Sequence, residues 1–296
     1  MVEEALLALC FIFDVMDIQA YIPGGKLNDF VLSIHYLSGS GIGTGVALQR
    51  LHHVIILNLG TDFSATDIYT GAHRQEARTG TVWVNGKQDT PFMLENRGTT
   101  AMYAVTLQPG VLPYFAGLPA SETNDLAVGA EHWKAKGLFD LRDRLMEEVS
   151  IYEGFLRIEA WLTKHLCRVN LTDLERVHWL GEALYNASVG DLCHTLGVTR
   201  KRLREEALYR FGGSVKSLQG IIRFNRTLAA IAWDSSRSLS ALHDYYDQSH
   251  FIADFKARAQ ITPLQYRRLC ARFPYIRDTP NFMAMPRETF LQFLAE

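Results

Sequence analysis

The sequence predicts two domains: a β-rich N-terminal domain with trailing helices, and an all-α C-terminal domain that holds two helix-turn-helix units. Short apolar runs bounded by turn residues fill the first hundred positions, and apolar residues recur at helical spacings from about Ser121 onwards. Charge also divides the chain, since residues 1–185 hold 14 Lys and Arg against 22 Asp and Glu, whereas residues 186–273 hold 14 against 7. The basic segment indicates a polyanionic partner.

Composition argues against several classes of protein. Hydrophobic residues make up 48% of the chain and charged residues 21%, which is typical of a packed globular protein. The early apolar run Ala5–Phe13 is too short to span a bilayer and follows acidic residues, so a cytoplasmic protein without membrane contact is expected. The cysteines form no CxxC pair and predict neither a zinc site nor disulfides; they are Cys10, Cys167, Cys193 and Cys270.

The β-rich region is expected to contain strands where β-branched and aromatic residues cluster between turn signals, at Val54–Leu59, Thr81–Val84 and Met102–Leu107. The glycine-rich stretch Gly39–Gly45 lacks the ending of a phosphate loop and is interpreted as a hairpin loop. Three aromatic residues on expected strands could line an effector pocket in a barrel interior, with core packing as the alternative. They are Tyr36, Trp83 and Tyr103.

Helices are expected after the strands. Their apolar positions are Leu138, Leu141, Leu145 and Val149, then Phe155, Ile158 and Leu162. Thr172–Glu175 has the form of a capping box that would begin the next helix.

The first helix-turn-helix unit, Ser188–Phe211, combines four local signals. Ser188–Asp191 has the capping-box form, Gly197 suits a left-handed helix stop, and Thr199 can cap the second helix. Leu203 and Phe211 belong to an apolar stripe on that helix. The second helix of such a motif enters the major groove, so its early basic residues are the candidates for DNA contact. They are Arg200, Lys201, Arg202 and Arg204. A solvated basic helix face is the alternative.

A helix expected at Val215–Trp233 would be about 28 Å long, comparable with the spacing of about 34 Å between successive major-groove faces. The second unit, Ser238–Ala259, follows it. Phe251 and Phe255 are expected to anchor its second helix in the core. The residues that point the other way, and could meet bases or phosphates, are Gln248, Ser249 and His250.

These segments resemble the AraC/XylS family of transcription regulators over about 90 residues. The resemblance lies in LGVTRKRL at 196–203, IRFNRTLA at 222–229, YDQSHF at 246–251 and ITPLQYR at 261–267. It implies a module of seven helices that reads two adjacent groove segments, with Lys201, Arg204 and Ser249 placed at the bases. The regions LQPG at 107–110 and GLPA at 117–120 are similar to an AraC-like subgroup. There, a cupin-like barrel with a small helical bundle precedes the DNA-binding domain, which implies a sensor or dimerisation domain.

The sequence departs from the family pattern at three places. Glu205 and Glu206 place acid on the first recognition helix, and Ala253 stands where an arginine is common. The stretch 239–248 is about three residues short, which is nearly one helical turn, and lacks the turn glycine. We therefore expect the second unit to be distorted and to contribute less specificity than the first.

These observations predict a regulator that binds double-stranded DNA, with domains at 1–170 and 171–273 and a C-terminal tail at 274–296. A small effector, RNA polymerase and a second copy of the chain are candidate partners, and no cofactor, metal or catalytic residue is expected. One alternative is a former regulator that acts through protein contacts. Another is a cupin-type metalloenzyme, which the histidines argue against because they form no ligand constellation; they are His35, His52, His53 and His73. The apolar face of the tail, at 290–294, is expected to dock back or to join a dimer.

Overall fold

The computed structural model describes residues 16–40, 44–77, 81–96, 98–134, 136–166, 169–234, 248–277 and 279–295. The strands are β1 (Met16–Tyr21), β2 (Val31–Ser40), β3 (Gly45–Ala47), β4 (Val54–Asn58), β5 (Phe63–Thr66), β6 (His73–Ala77), β7 (Val82–Asn85), β8 (Phe92–Asn96), β9 (Thr99–Leu107), β10 (Ala127–Gly129) and β11 (Phe282–Met283). The helices are α1 (Leu112–Ala116), α2 (Leu138–Met146), α3 (Ile151–Leu166), α4 (Leu171–Ala183), α5 (Val189–Leu196), α6 (Arg200–Phe211), α7 (Val215–Trp233), α8 (Gln248–Ala259), α9 (Pro263–Arg272) and α10 (Arg287–Ala295). The fold class is therefore as expected: a β-rich N-terminal part and a helical C-terminal part.

Two antiparallel sheets build the N-terminal part. The larger sheet has the strand order β1-β2-β9-β4-β7-β10, and the smaller has the order β11-β3-β8-β5-β6. The three strands expected from the sequence are confirmed as β4, β7 and β9. Strand β11 comes from the C-terminal tail and pairs with β3, so the smaller sheet joins the tail to the N-terminal part.

Side chains of the larger sheet alternate between two buried faces, as the period of two requires. Tyr103 and Val105 of β9 lie in one core with the apolar sides of α2 and α3. Met102 and Ala104, from the same strand, face the smaller sheet and pack near Phe63 of β5. The helices therefore cover one face of the sheet, and an interior cavity lies against the other.

Two details of the helical region differ from the sequence expectation. Val149 continues the apolar spacing of α2 but lies between α2 and α3, fully exposed. Helix α4 is capped by Asn170, whose side chain accepts a hydrogen bond of 3.0 Å from the backbone N–H of Thr172. The predicted capping box at Thr172–Glu175 is therefore wrong, because an amide two residues earlier already accepts from the first turn.

The first helix-turn-helix unit and the described part of the second each share a core with the β-rich part. Leu51 packs with Phe211 and the other apolar residues of the first unit. Val46 and Leu48 pack with Phe255 of α8 and with Phe290 of the tail. The sequence left two roles open for the apolar face of the tail, docking back onto the chain or joining a dimer. The first is confirmed, since the apolar face of α10 packs against the chain.

The first unit is also fixed by polar contacts beyond its core. Asp173 of α4 accepts a hydrogen bond of 2.7 Å from the hydroxyl of Tyr114 and pairs with Arg210 of α6 at 2.5 Å. The Asn124 amide donates to the carbonyl of Gly212 at 2.6 Å. Within the described ranges, no helix has the length and apolarity needed to cross a membrane.

Candidate nucleic-acid interface and ligand cavity

The local signals of the first unit form as the sequence predicts. The Ser188 hydroxyl accepts from the backbone N–H of Asp191 at 3.1 Å, and the Asp191 carboxylate accepts from the N–H of Ser188 at 3.2 Å. Gly197 ends α5 at φ 63°, in the left-handed region. The Thr199 hydroxyl then accepts from the N–H of Arg202 at 3.2 Å and begins α6. This tight turn fixes the direction in which α6 leaves the unit.

Helix α6 has buried apolar positions and exposed basic positions near its start. Leu203, Ala207 and Phe211 are buried in the core of the first unit, together with Leu51. The four basic residues singled out from the sequence are all exposed; they are Arg200, Lys201, Arg202 and Arg204. We call this exposed set the basic face. A buried stripe behind a basic face allows the helix to enter a groove without loss of its own packing.

The two glutamates of α6 do not act alike. Glu206 turns toward α4, where its carboxylate pairs with Arg176 at 2.6 Å and its side chain is only 10% exposed. Glu205 is 51% exposed and lies 3.8 Å from Arg202 on the same helix. The negative charge of Glu206 is thus neutralised by a partner on α4, which weakens the repulsion of phosphate that an unpaired carboxylate would cause.

Helix α8 presents the candidates from the second unit to solvent. Phe251 and Phe255 are buried, and the Phe255 ring lies 5.3 Å from that of Phe224. Gln248, Ser249 and His250 are exposed at the start of the helix. The segment 235–247, with its predicted short turn, lies outside the described residues, so the expected distortion of the second unit stays a prediction.

One further cation lies on the exposed side of α8. Lys256 and Ser249 line the same open groove, together with Ile252, Ala253, Ala257 and Gln260. Lys256 follows Ser249 by seven residues, which places both on one helix face. Sequence reasoning missed Lys256, although its spacing from Ser249 was the available signal. It supplies a positive charge close to Ala253. Arginine is common at that position in the AraC/XylS family, which the sequence resembles.

A cavity of about 410 Å³ lies between the two sheets. Its apolar lining comes from both sheets and from the tail, and includes Ile56, Phe63, Trp83, Leu94, Met102 and Phe282. Its polar lining includes Arg50, Arg74, Gln75, Glu76, Gln88 and Asp125. Apolar walls with a few polar groups are typical of a site for a small molecule.

Arg50 and Arg74 differ in how their charges are balanced. Arg74 pairs with Asp67 at 3.0 Å and donates to the carbonyl of Pro91 at 2.9 Å. Among the described residues, none forms a hydrogen bond or ion pair with the Arg50 side chain, and its Nε is buried. Burial lowers the pKa of Arg50 to about 10, so the group keeps its charge near pH 7. Arg50 is therefore a cation on the cavity wall that forms no ion pair with the described residues, although the carboxylates of Glu76 and Asp125 line the same cavity.

The three aromatic candidates for the effector pocket do not come together. Trp83 lines the cavity, and its indole N–H donates to the Asn85 side chain at 2.9 Å. Tyr36 and Tyr103 lie with their ring centroids 4.9 Å apart on the opposite face of the sheet, where Tyr103 packs against Phe155 of α3. Burial raises the pKa of Tyr103 to about 12. Because both faces of this sheet are buried, the sequence could not show which face lines the interior.

The histidines weighed as metal ligands lie in different settings. His53 is 1% exposed, and neither of its ring nitrogens has a hydrogen-bond partner among the described residues. Burial, with neighbouring positive groups, lowers the pKa of His53 to about 3, so its ring is neutral near pH 7. In the part of the chain that the structure describes, no group of three or more His, Cys, Asp or Glu side chains is arranged to hold a metal ion.

No protein-family model and no curated protein matches the chain. Among solved structures, ToxT from Vibrio cholerae resembles it with 13% identity and a TM-score of 0.42, over 86% of this chain and 98% of ToxT. ToxT bound to (E)-4-(8-methylnaphthalen-1-yl)but-3-enoic acid shows 12% identity and a TM-score of 0.41, over 87% and 100%. ToxT bound to an unsaturated fatty acid shows 14% and 0.39, over 86% and 95%. At these values, the likeness assigns neither a function nor a ligand to the chain.

Proposed function

We propose that this protein is a transcription regulator of the AraC type, which reads double-stranded DNA through its helical C-terminal part. The basic face of α6 carries the proposal. Four exposed cations begin a helix whose start, turn and buried side are all fixed by the helix-turn-helix frame. Caps and glycine stops occur in many helices, so it is their combination with two short helices and four exposed cations that supports DNA contact over a solvated basic helix.

The four cations have different parts in this proposal. Lys201 and Arg204 lie one helical turn apart and are the candidates for contact with base edges, where arginine can bind guanine with two hydrogen bonds. Arg200 and Arg202 lie beside them and are suited to phosphates, which set the register of the helix on the duplex. The second unit adds Gln248, Ser249, His250 and Lys256. Only one of these, Lys256, is a cation, whereas the first unit offers four. We therefore assign most of the affinity to the first unit.

Selection of bound sequences from a random pool of duplex DNA tests this function. We expect one strongly enriched segment, read by α6, and a weaker one about one helical turn away, read by α8. Affinity for the enriched site should fall steeply with salt, because phosphate contacts release counterions. A pool that returns no enriched sequence at low salt would contradict the proposal and favour a protein that acts through protein contacts.

We also propose that the cavity holds a small effector with an acidic group and an apolar body. The support is the charged Arg50 guanidinium, which lines a largely apolar cavity and forms no ion pair or hydrogen bond with the described residues. The Asp125 carboxylate on the same wall instead accepts hydrogen bonds from Gln88 and Thr90. A ligand carboxylate would supply a counter-charge and could accept two hydrogen bonds from the guanidinium. The cavity volume lies within the range of small-molecule sites.

Decanoate is a suitable probe of the cavity. We expect it to bind the wild-type protein, and we expect Arg50→Met to weaken binding about tenfold or more, because the charge is lost while the length of the side chain is kept. Isothermal titration measures both affinities. Arg144→Met, at an exposed position of α2, is the matched control and should leave the affinity unchanged. Equal binding by wild type and Arg50→Met would remove Arg50 from the site.

A further inference from the structure

The C-terminal tail forms part of the cavity wall and also part of the core around α8. Phe282 of β11 lines the cavity. The next residue, Met283, is fully buried with Phe251 and Phe255 of α8, and so is Met285 nearby. Only one peptide bond therefore separates a side chain that faces the cavity from one that packs with the second recognition helix.

Backbone pairing holds this segment on the β-rich part. Phe282 pairs with Ala47 and Met283 with Val46 in an antiparallel register. The backbone N–H of Leu48 donates to the carbonyl of Asn281 at 2.8 Å, which extends the pairing by one residue. Removal of β11 would leave β3 as an edge strand with unpaired backbone groups.

Side chains hold the tail to the β5–β6 turn and to the helices. Arg287 of α10 donates through Nε to the carbonyl of Ile68 at 2.8 Å, and its guanidinium also contacts the carbonyl of Tyr69. The Tyr69 hydroxyl in turn donates to the carbonyl of Gln260 at the end of α8. On the other side, the Tyr266 hydroxyl of α9 donates to the carbonyl of Pro280 at 2.7 Å. The tail is thus bonded both to the β-rich part and to the second unit.

We propose that the tail couples the cavity to the second recognition helix. A ligand beside Phe282 gains apolar contacts only while β11 is paired with β3, so it stabilises the paired state and with it the packing of α8. The first unit has its own polar contacts, through Asp173 and Asn124, and no described tail residue belongs to its core. Effector binding therefore tightens the second unit and leaves the first unchanged. This coupling rests on the effector half of the proposed function.

Gly45 offers a test that adds a single carbon atom. A Cβ at this position would lie 2.6 Å from the Phe282 ring and 2.8 Å from the backbone oxygen of Met283, so β11 must move to admit it. Gly45 does not have a positive φ, and alanine is compatible with its own backbone conformation. Gly24→Ala is the matched control, because a Cβ there meets no atom within 4 Å.

Hydrogen exchange of the full-length variants measures the outcome. In Gly45→Ala, we expect the amides of α8 to exchange about tenfold faster than in wild type, with those of α6 unchanged. Gly24→Ala should match wild type in both helices. Decanoate should slow exchange at residues 281–285 and in α8 of the wild type, and it should bind Gly45→Ala about tenfold more weakly, since coupling is reciprocal.

Three results would overturn parts of this inference. Unchanged exchange of α8 in Gly45→Ala would show that the tail does not hold the second unit. Decanoate that binds without slowing exchange at 281–285 would overturn the coupling and leave effector binding intact. Failure of decanoate to bind at all would overturn the proposal of an acidic effector, and with it the proposal that ligand binding in the cavity acts on the second unit. Faster α8 exchange in Gly45→Ala would still support the hold of the tail on the second unit.

Discussion

Replacement of Lys201 and Arg204 together by alanine is expected to weaken specific DNA binding by about 2–6 kcal/mol, since each good base contact contributes about 1–3 kcal/mol. This is a loss of roughly 30-fold to 10⁴-fold in affinity. Both side chains are exposed, and the buried side of α6 is untouched, so the thermal unfolding midpoint should not change. Fluorescence titration of the selected site at one fixed salt concentration measures the effect, with thermal unfolding as the check on folding.

The matched control for this pair removes the same charge elsewhere. Lys134 and Arg144 are exposed on the N-terminal part, and their double alanine variant should alter affinity only through screened, long-range charge. Equal losses in the two variants would show that net charge, rather than the basic face, determines binding. Unchanged binding by the Lys201 and Arg204 variant would place the reading surface elsewhere.

The second large effect is expected from Phe255→Ala. Phe255 is fully buried, and its ring contacts those of Phe224, Phe251 and Tyr266 at centroid distances of 5.3–5.9 Å. Loss of a buried phenylalanine side chain costs about 3–5 kcal/mol. Because the two units have separate cores, we expect faster exchange in α8 and retained protection in α6. The enriched DNA site should shrink to the segment that the first unit reads.

Ile252→Ala is the control on the same helix. Ile252 is 39% exposed, so its truncation should change the free energy of unfolding much less than the change at Phe255. Denaturant unfolding measures the change in the free energy of unfolding for each of the two variants. If Phe255→Ala unfolds α6 and α8 together, the two units form one cooperative block, and their separate roles in DNA reading would be wrong.

The first unit could be predicted from the sequence because its signals are local. The Ser188 capping box, the Gly197 stop and the Thr199 cap each span at most a few residues, so backbone preference and one hydrogen bond determine them. The partner of Glu206 could not be predicted in the same way. Arg176 lies thirty residues away, and only the packing of α4 against α6 brings the two charges together.

The sequence predicts a pocket and one of its lining residues, Trp83, but most of the lining cannot be predicted, for a different reason. A strand pattern shows which residues share a face, but not which of two buried faces is the interior. Trp83 and Tyr103 are both aromatic residues of expected strands, but the pairing register places them on opposite faces of one sheet. Arg50 and Phe282 reach the same cavity from positions more than two hundred residues apart.

The pairing of β11 with β3 also has a consequence for synthesis of the chain. Strand β3 emerges early from the ribosome, but its partner emerges only after both helix-turn-helix units have been made. Until then, β3 is an open sheet edge of the kind that promotes aggregation, and a prematurely terminated product would keep that edge. Completion of the smaller sheet therefore requires residues 282–283, so the solubility of the β-rich part depends on synthesis of the helical part that precedes them.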